Sequence, residues 1–120
     1  MDRRFVIQLH RTGEGSHYDL MIEHGPDAPL ATWRVGVLPG DLPRGGAAEA
    51  TAMPDHRRRY LDYEGPISGD RGTVEIADAG KAAVAVESAG RWEVELAGCG
   101  FAGRFVLTRD QGDRWSLSRL

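Results

Sequence analysis

Two histidines and an aspartate, His10, His17 and Asp19, lie close together near the start of the chain. The segments that carry them, residues 4–10 (RFVIQLH) and 17–24 (HYDLMIEH), alternate apolar and polar side chains, which predicts β-strands. The short link between the segments is turn-like and makes the two strands antiparallel neighbours. Because successive side chains of a strand point to opposite faces, the three residues share the polar face. Two imidazoles and a carboxylate placed in this way could form a three-point metal site.

The ligand types at this site suit manganese, zinc or iron(II), and the sequence alone does not choose among them. Gln8 lies on the same polar face as His10. A plainer interpretation is that the imidazoles and the carboxylate are only solvated at the end of a hairpin. The metal site is therefore one of two interpretations of these residues.

A second polar motif, DHRRRYLDYEG, occupies residues 55–65. It places His56 four residues before Tyr60, with three arginines between them. His56 could serve as a phosphate ligand or a general acid, and Tyr60 could donate a hydrogen bond to a transferring oxygen. The alternative is a solvated, charged turn that leads to a buried Tyr63, and the residues alone favour that alternative.

The elements that position these motifs are predicted to be almost entirely strands. Sixteen glycines and six prolines divide the chain into short segments with a period of two. These segments predict an all-β fold, a small antiparallel β-barrel of about eight short strands, because closure removes exposed strand edges. The predicted strands are residues 4–10, 17–24, 30–37, 72–78, 81–88, 91–98, 103–109 and 114–119.

The connections between the predicted strands are of two kinds. Short glycine-bearing turns, including DAGK at residues 78–81, are typical of hairpins. Residues 38–58 are interpreted as one long connection, and its residues 46–53 could form one short helix. Three tryptophans occupy alternating strand positions and are expected in the core rather than on a base-stacking surface: Trp33, Trp92 and Trp115.

Length and charge limit the classes of function. The chain of 120 residues predicts a single domain over residues 1–120. With 15 basic and 18 acidic residues, its net charge of −3 does not fit nucleic-acid binding by bulk electrostatics, so any such contact must be local. No apolar run is long enough for a membrane helix and no secretory signal is visible. Cys99 is the single cysteine, which suggests a reducing, cytoplasmic location.

The motifs taken together resemble a known family. FVIQLH, SHYDLMIEH, TWRV, DHRRRYLDYEG, GTV, FAGRFVLTR and a closing RWSLSRL follow one another in order. This order is similar to that of the 3′-phosphoesterase domain of bacterial DNA ligase D, whose signature runs FVIQKH, LHYDFRLE, SWAVPKG and DHPLDYADFEG. The resemblance covers essentially the whole chain, and its HYD and DH-x-x-x-Y elements are specific in spacing.

The resemblance implies a small β-barrel with a manganese-dependent site on its outer surface. Members of the family remove a 3′-ribonucleoside and then a 3′-phosphate from nucleic-acid ends, beside ligase and polymerase partners. The family's metal ligands correspond to His10, His17 and Asp19. Its further active-site residues correspond to Gln8, His56 and Tyr60.

Three positions depart from the family pattern. The arginine of the family's HYDFRLE is Met21 here, a lysine falls near Val37, and a further arginine falls on Ala48. Loss of a bidentate arginine at a phosphoryl-transfer site should lower turnover by orders of magnitude unless another arginine replaces it. The candidate replacements for phosphate binding are Arg34, Arg57 and Arg11.

Two functions follow as expectations from the sequence. The first is a metal-dependent phosphoesterase acting on nucleic-acid 3′ ends in DNA repair, with manganese expected and zinc as the alternative. The second is a catalytically weakened module that binds a metal or a nucleic-acid end. The retained metal ligands and the His56–Tyr60 pair favour the enzyme, whereas Met21 and the negative net charge favour the binding module.

Overall fold

Strands make up most of the chain in the computed structural model, which describes residues 3–120. Two 3₁₀ turns, Pro39–Asp41 and Arg58–Leu61, are the helical segments within this part of the chain. The nine strands are β1 (Arg3–Thr12), β2 (Gly15–Glu23), β3 (Leu30–Val35), β4 (Ala47–His56), β5 (Gly65–Pro66), β6 (Thr73–Glu87), β7 (Arg91–Gly98), β8 (Ala102–Gln111) and β9 (Arg114–Arg119).

All strand pairs are antiparallel, and the sheet closes on itself. The order is β1-β2-β3-β4-β9-β8-β7-β6-β5, and β6 also pairs with β1. Eight strands therefore form a ring, with the two-residue β5 paired to β6 outside it. The all-β class and the closed antiparallel sheet are confirmed. Among the described residues, no helix has the length and apolar character needed to cross a bilayer.

The short helix expected within residues 46–53 is wrong, and so is the single long connection over 38–58. Most of that segment is β4, which pairs with β3 on one side and β9 on the other. Its alanines follow strand alternation, since Ala50 is buried and Ala48 and Ala52 pack against the core. Alanine has a high intrinsic helix propensity, but burial between two neighbouring strands outweighs it.

The hairpin turn predicted at residues 78–81 is also wrong, because β6 runs through it without a break. The first part of β6 pairs with β1 and the second part pairs with β7, so this one strand closes the ring. Gly80 lies where β6 and β7 approach each other closely, and a Cβ there would stand 2.0 Å from the Ala97 carbonyl oxygen. This glycine serves close strand packing rather than a turn.

The ring encloses the main core, and a smaller apolar cluster lies outside it. Side chains such as Phe5, Ile7 and Leu20 face inward together with the three tryptophans, whose predicted core positions are confirmed. On the outer side of β1 and β2, the 3₁₀ turn Arg58–Leu61 covers a cluster of Val6, Met21, Leu30 and Leu61. The predicted metal site lies on this same outer side.

Candidate functional site

The hairpin of β1 and β2 brings the predicted metal ligands together. His10 pairs directly with His17, and Gln8 pairs with Asp19. The inward positions of the same strands are apolar and buried in the core, so the polar face is oriented by the packing of the ring. His10, His17 and Asp19, here called the metal trio, form the group of potential ligands in residues 3–120 whose donor atoms approach within 4.8 Å.

The spacing of the donor atoms in the metal trio fits a single ion. His10 Nδ1 lies 3.2 Å from His17 Nε2 and 3.8 Å from an Asp19 carboxylate oxygen, and His17 Nε2 lies 3.4 Å from the other oxygen. Donors bound to one ion at about 2.1 Å stand roughly 3.0–3.4 Å apart. The trio therefore needs only small adjustments to bind a divalent ion, and it leaves positions open for other ligands.

The metal trio is largely covered by the surrounding residues. Its side chains are 15%, 17% and 6% exposed for His10, His17 and Asp19. Asp19 Oδ1 is buried without a hydrogen-bond partner among the described residues. A buried carboxylate oxygen without a partner is costly, and a cation at the centre of the trio would satisfy it.

His10 is oriented by the backbone of the loop before β6. Its Nε2 lies 2.6 Å from the carbonyl oxygen of Arg71 and donates to it, which leaves the Nδ1 lone pair directed at the trio. Gly72 permits this contact, since its φ is +90° and a Cβ would lie 1.9 Å from the Arg11 carbonyl oxygen. The loop and β1 can approach so closely only with glycine at this position.

Burial lowers the pKa of His17. The negative charge of Asp19 opposes this effect, while the positive charge of Arg34 and the neighbouring imidazole of His10 add to it. His17 is therefore neutral near pH 7 and offers a lone pair, the form in which imidazole binds metals.

Tyr60 is held by Gln8, the residue that pairs with Asp19 across the β1–β2 hairpin, and His56 packs against Tyr60. The two rings meet edge to face, with centroids 5.6 Å apart. Gln8 is 1% exposed, and its side-chain amide donates to the carbonyl oxygens of Tyr60 and Tyr63 at 3.0 Å each. His56 Nδ1 bonds to the Pro54 carbonyl oxygen at 2.9 Å, which leaves Nε2 for chemistry. Gln8 thus links β1 to the segment that carries His56 and Tyr60.

The three predicted phosphate-binding arginines are placed differently. Arg34 is 43% exposed and lies opposite Asp19 in β3, with its Nε 3.9 Å from the carboxylate. Arg57 is exposed and lies next to His56. Arg11 is one residue out of phase with His10 and pairs with Glu75 at 2.8 Å, so the structure does not bring it to the trio.

Two clefts share Arg71, and one of them is lined by His10 and His17 of the metal trio. The metal cleft is lined by His10, Thr12, Gly13, Glu14, Gly15, Ser16, His17, Arg34, Asp70 and Arg71. The arginine cleft is lined by Pro54, Asp55, His56, Arg57, Arg59, Tyr60, Tyr63, Pro66, Ile67, Ser68 and Arg71. Arg71 lines both clefts but was not predicted from the sequence. The one signal beside it is Gly72, and a glycine is equally typical of an ordinary loop.

Met21 occupies the position at which the resemblance predicts an arginine on this face. It is fully buried with Val6, Leu30 and Leu61 beneath the 3₁₀ turn. The next outward residue of β2, Glu23, is ion-paired with Arg58 at 2.6 Å. Beyond Asp19 this side of the site is therefore closed, and the exposed arginines near it lie on β3 and in the arginine cleft.

Sequence comparison finds similarity between this chain and known proteins. No family model matches the chain. The chain is 33% identical over 125 aligned positions to the multifunctional non-homologous end joining protein LigD of Mycobacterium bovis and to the multifunctional non-homologous end joining DNA repair protein LigD of Mycobacterium tuberculosis. These matches cover 97% of this chain but only 16% of the length of each LigD chain. The chain is therefore related to LigD, as a divergent counterpart of one segment of it.

Proposed function

We propose that this protein is a divalent-metal-dependent phosphoesterase that acts on the 3′ ends of nucleic acid, removing a 3′-phosphate or a 3′-ribonucleoside during DNA repair. The observation that carries the proposal is the metal trio, with converging donor atoms and a buried, unpartnered carboxylate oxygen. Phosphate esters are hydrolysed readily where a metal ion and cationic side chains offset the negative charge of the transition state.

His10, His17 and Asp19 would hold the ion, with manganese expected and zinc as the alternative. A bound divalent ion would supply Lewis acidity toward phosphate oxygens. The Arg71 carbonyl oxygen would keep the Nδ1 lone pair of His10 directed inward.

The remaining side chains would bind and orient the ester. Arg34 lies nearest to Asp19 and would contact the phosphate beside the metal trio. His56 Nε2 would stabilise the phosphoryl group or give a proton to the leaving oxygen, and Tyr60 would donate a hydrogen bond to the ester. Gln8 has both amide hydrogens engaged with backbone carbonyls, so its role would be to position His56 and Tyr60.

The relation to LigD supports the nucleic-acid and repair parts of the proposal. The M. tuberculosis relatives are named as non-homologous end joining DNA repair proteins, and end joining requires strand ends that can be ligated. A 3′-hydroxyl left by the proposed reaction is such an end. Ligase and polymerase activities would then be the functional partners of this chain.

The decisive experiment measures phosphate release from a primer–template with a 3′-phosphate in the presence of manganese. We expect wild-type turnover, its loss in His10→Ala, and a fall in kcat of roughly 10²- to 10⁴-fold in His56→Ala. Asp19→Asn should weaken manganese binding by more than the roughly 10- to 100-fold typical of a missing outer-shell partner. The exposed Asp113→Asn is the matched control and should bind and react as wild type.

The second candidate function is a binding module, and the buried Met21 is the observation in its favour. It predicts manganese binding that depends on Asp19 together with no phosphate release from 3′-phosphate or 3′-ribonucleoside ends. That pair of results would exclude the enzyme and leave the module.

A further inference from the structure

The arginine cleft is large enough to hold more than a phosphate group. Its volume is about 480 Å³, within the range of roughly 300–1,000 Å³ typical of small-ligand sites. Its walls combine cationic side chains with two tyrosine rings, Tyr60 and Tyr63. This composition suits a sugar–phosphate unit better than an apolar ligand.

The cleft concentrates positive charge in a chain whose net charge is −3. Arg57, Arg59 and Arg71 all line it, and Asp55 is its only carboxylate among the described residues. Asp55 lies 3.2 Å from His24 Nε2, so its charge is already engaged outside the cleft. The local field in the cleft therefore attracts anions although the whole chain is acidic.

Within the run of three arginines, the middle one holds neighbouring segments of the fold together, and the outer two are available to bind a ligand. Arg58 is ion-paired with Glu23 at 2.6 Å and donates to the Ala28 carbonyl oxygen at 2.9 Å. Arg57 and Arg59 are exposed and have no carboxylate partner within residues 3–120. The two outer arginines are thus not consumed by holding the fold together.

Arg59 is held in place without losing its hydrogen-bonding capacity. Its guanidinium carbon lies 4.6 Å from the centroid of Tyr63 and 5.6 Å from that of Tyr60. Stacking on aromatic rings restricts a guanidinium group but leaves its edge free to bind phosphate in a bidentate manner.

The arginine cleft shares one lining residue, Arg71, with the metal cleft of the proposed reaction site. Arg71 lines both clefts, and its carbonyl oxygen accepts the hydrogen bond from His10. His56 and Tyr60 line the arginine cleft while Gln8 links them to the face that carries Asp19. A strand whose 3′ end lies at the metal trio can therefore continue into this cleft.

We propose that the arginine cleft is a strand-holding subsite, in which Arg59 and Arg57 bind the backbone phosphates that precede the reacting 3′ end. The inference rests on the proposed function for the position of that end. Within the proposed substrate class, it assigns the binding of these preceding phosphates to Arg57 and Arg59 of this chain.

Binding is tested on the metal-free protein in chelator, with fluorescent single-stranded DNA and RNA 12-mers that end in a 3′-hydroxyl. We expect wild type to bind at least one of them, and Arg59→Ala and Arg57→Ala to weaken binding by roughly tenfold at low salt. Each substitution should also lower the slope of log affinity against log salt by about 0.7 for each phosphate that the variant no longer binds. Arg104→Ala, an equally charged change at an exposed site with 73% side-chain exposure, is the matched control and should leave both quantities unchanged.

Turnover separates this inference from the proposed function. Arg59→Ala should lower kcat/KM roughly tenfold for a 3′-phosphorylated oligonucleotide and leave thymidine 3′-phosphate unaffected. Wild-type binding to neither strand, or wild-type affinity and salt slope in both arginine variants, would overturn the subsite. Absence of turnover by wild type on every substrate would instead count against the phosphoesterase, and the binding measurements would still decide the cleft.

Discussion

Identical residues in the run Arg57–Arg58–Arg59 have different surroundings and different roles. Arg58 is half-buried against Glu23, whereas its neighbours line the arginine cleft. The three residues are of the same type, so their contacts in the folded chain distinguish them. Residue type identified a basic cluster at this position, and tertiary packing decided which members of it can bind a ligand.

Gln8 gives a prediction at the scale of one side chain. Gln8→Leu keeps the volume but removes both hydrogen bonds to the carbonyl oxygens of Tyr60 and Tyr63. We expect a loss of about 1–3 kcal/mol in the free energy of unfolding, because buried carbonyl groups are left without donors. Urea denaturation of the metal-free protein measures this.

The matched control for Gln8 is Gln111→Leu, an exposed position at the end of β8. Phosphate release should fall in Gln8→Leu, since His56 and Tyr60 lose their anchor, while manganese affinity stays within about tenfold of wild type, because Gln8 is not among the metal ligands. Unchanged stability and unchanged turnover would show that Gln8 does not hold the segment of residues 57–63.

Among the elements, the loop before β6 contributes more to the candidate site than its sequence indicates. Residues 67–72 connect β5 to β6, supply Arg71 to both clefts and orient His10 through a backbone carbonyl. β6 then closes the ring against β1. One short loop thus couples closure of the sheet to the geometry of the metal trio.

Gly72 tests this coupling. In Gly72→Ala the new Cβ would overlap the Arg11 carbonyl oxygen, and the φ of +90° is unfavourable for alanine, so the loop must move away from β1. His10 then loses its acceptor, and manganese affinity measured by calorimetry should fall roughly 10- to 100-fold.

A control for Gly72→Ala is Gly90→Ala, in the β6–β7 turn, where a Cβ meets nothing within 4 Å. Manganese affinity equal to wild type in both variants would mean that the Arg71 carbonyl does not orient His10. A loss confined to Gly72→Ala would support the coupling.

At the scale of the whole molecule, an ionic network ties together strands that are distant in sequence. His24, just after β2, bonds through its two ring nitrogens to Asp55 of β4 and Glu87 of β6, and Glu87 also pairs with Arg3 of β1. Burial alone would lower the pKa of His24, but the bonds to Glu87 and Asp55 outweigh it, and the pKa is raised.

The pKa values of Glu87 and Glu23 are lowered, in contrast to that of His24. For each carboxyl group, burial taken alone would raise the pKa. Bonds from His24 and Arg3 to Glu87, and from the Arg4 amide and Arg58 to Glu23, outweigh burial, so both pKa values are lowered. The network is therefore complete only where His24 is protonated and the carboxyl groups are ionised.

These shifts set the pH range in which the network stabilises the fold. The contribution of His24 is fully present below the pKa of free histidine, about 6.5, and is lost as pH rises through its higher folded value. The contribution of the glutamates is present above about pH 4.3 and is lost as pH falls through their lower folded values. The network contributes most between these limits.

His24→Gln tests the alkaline side. In chelator, the free energy of unfolding of wild type should exceed that of the variant at about pH 5.5, and the difference should narrow by about pH 8.5. Taking the difference removes the effect of His17, whose lowered pKa acts in the opposite direction on both proteins. A difference that is constant over this range would show that the charge of His24 does not stabilise the fold.

Most of the fold and half of the candidate site were predictable because they depend on short-range alternation. Period two placed the tryptophans in the core and set His10, His17 and Asp19 on one face, and the β1–β2 register and the burial of the tryptophans agree with it. Prediction failed where pairing with neighbouring strands outweighs local propensity: the alanine-rich β4 was expected to be helical, and Gly80 of β6 was expected in a turn.

Contacts between segments far apart along the chain required the folded molecule. The Arg71 carbonyl on His10 and the amide of Gln8 under Tyr60 join residues separated by 61 and 52 positions. The different roles of Arg58 and Arg59 likewise depend on a distant residue, Glu23, which pairs with Arg58 alone. No local pattern encodes such contacts, because they arise when closure of the sheet brings the β5–β6 loop and the 3₁₀ turn onto β1. The sequence alone determined the types of the metal ligands and the strand face that they share, because both follow from local alternation. The tertiary structure decided how closely their donor atoms converge, how far they are buried and which clefts reach them.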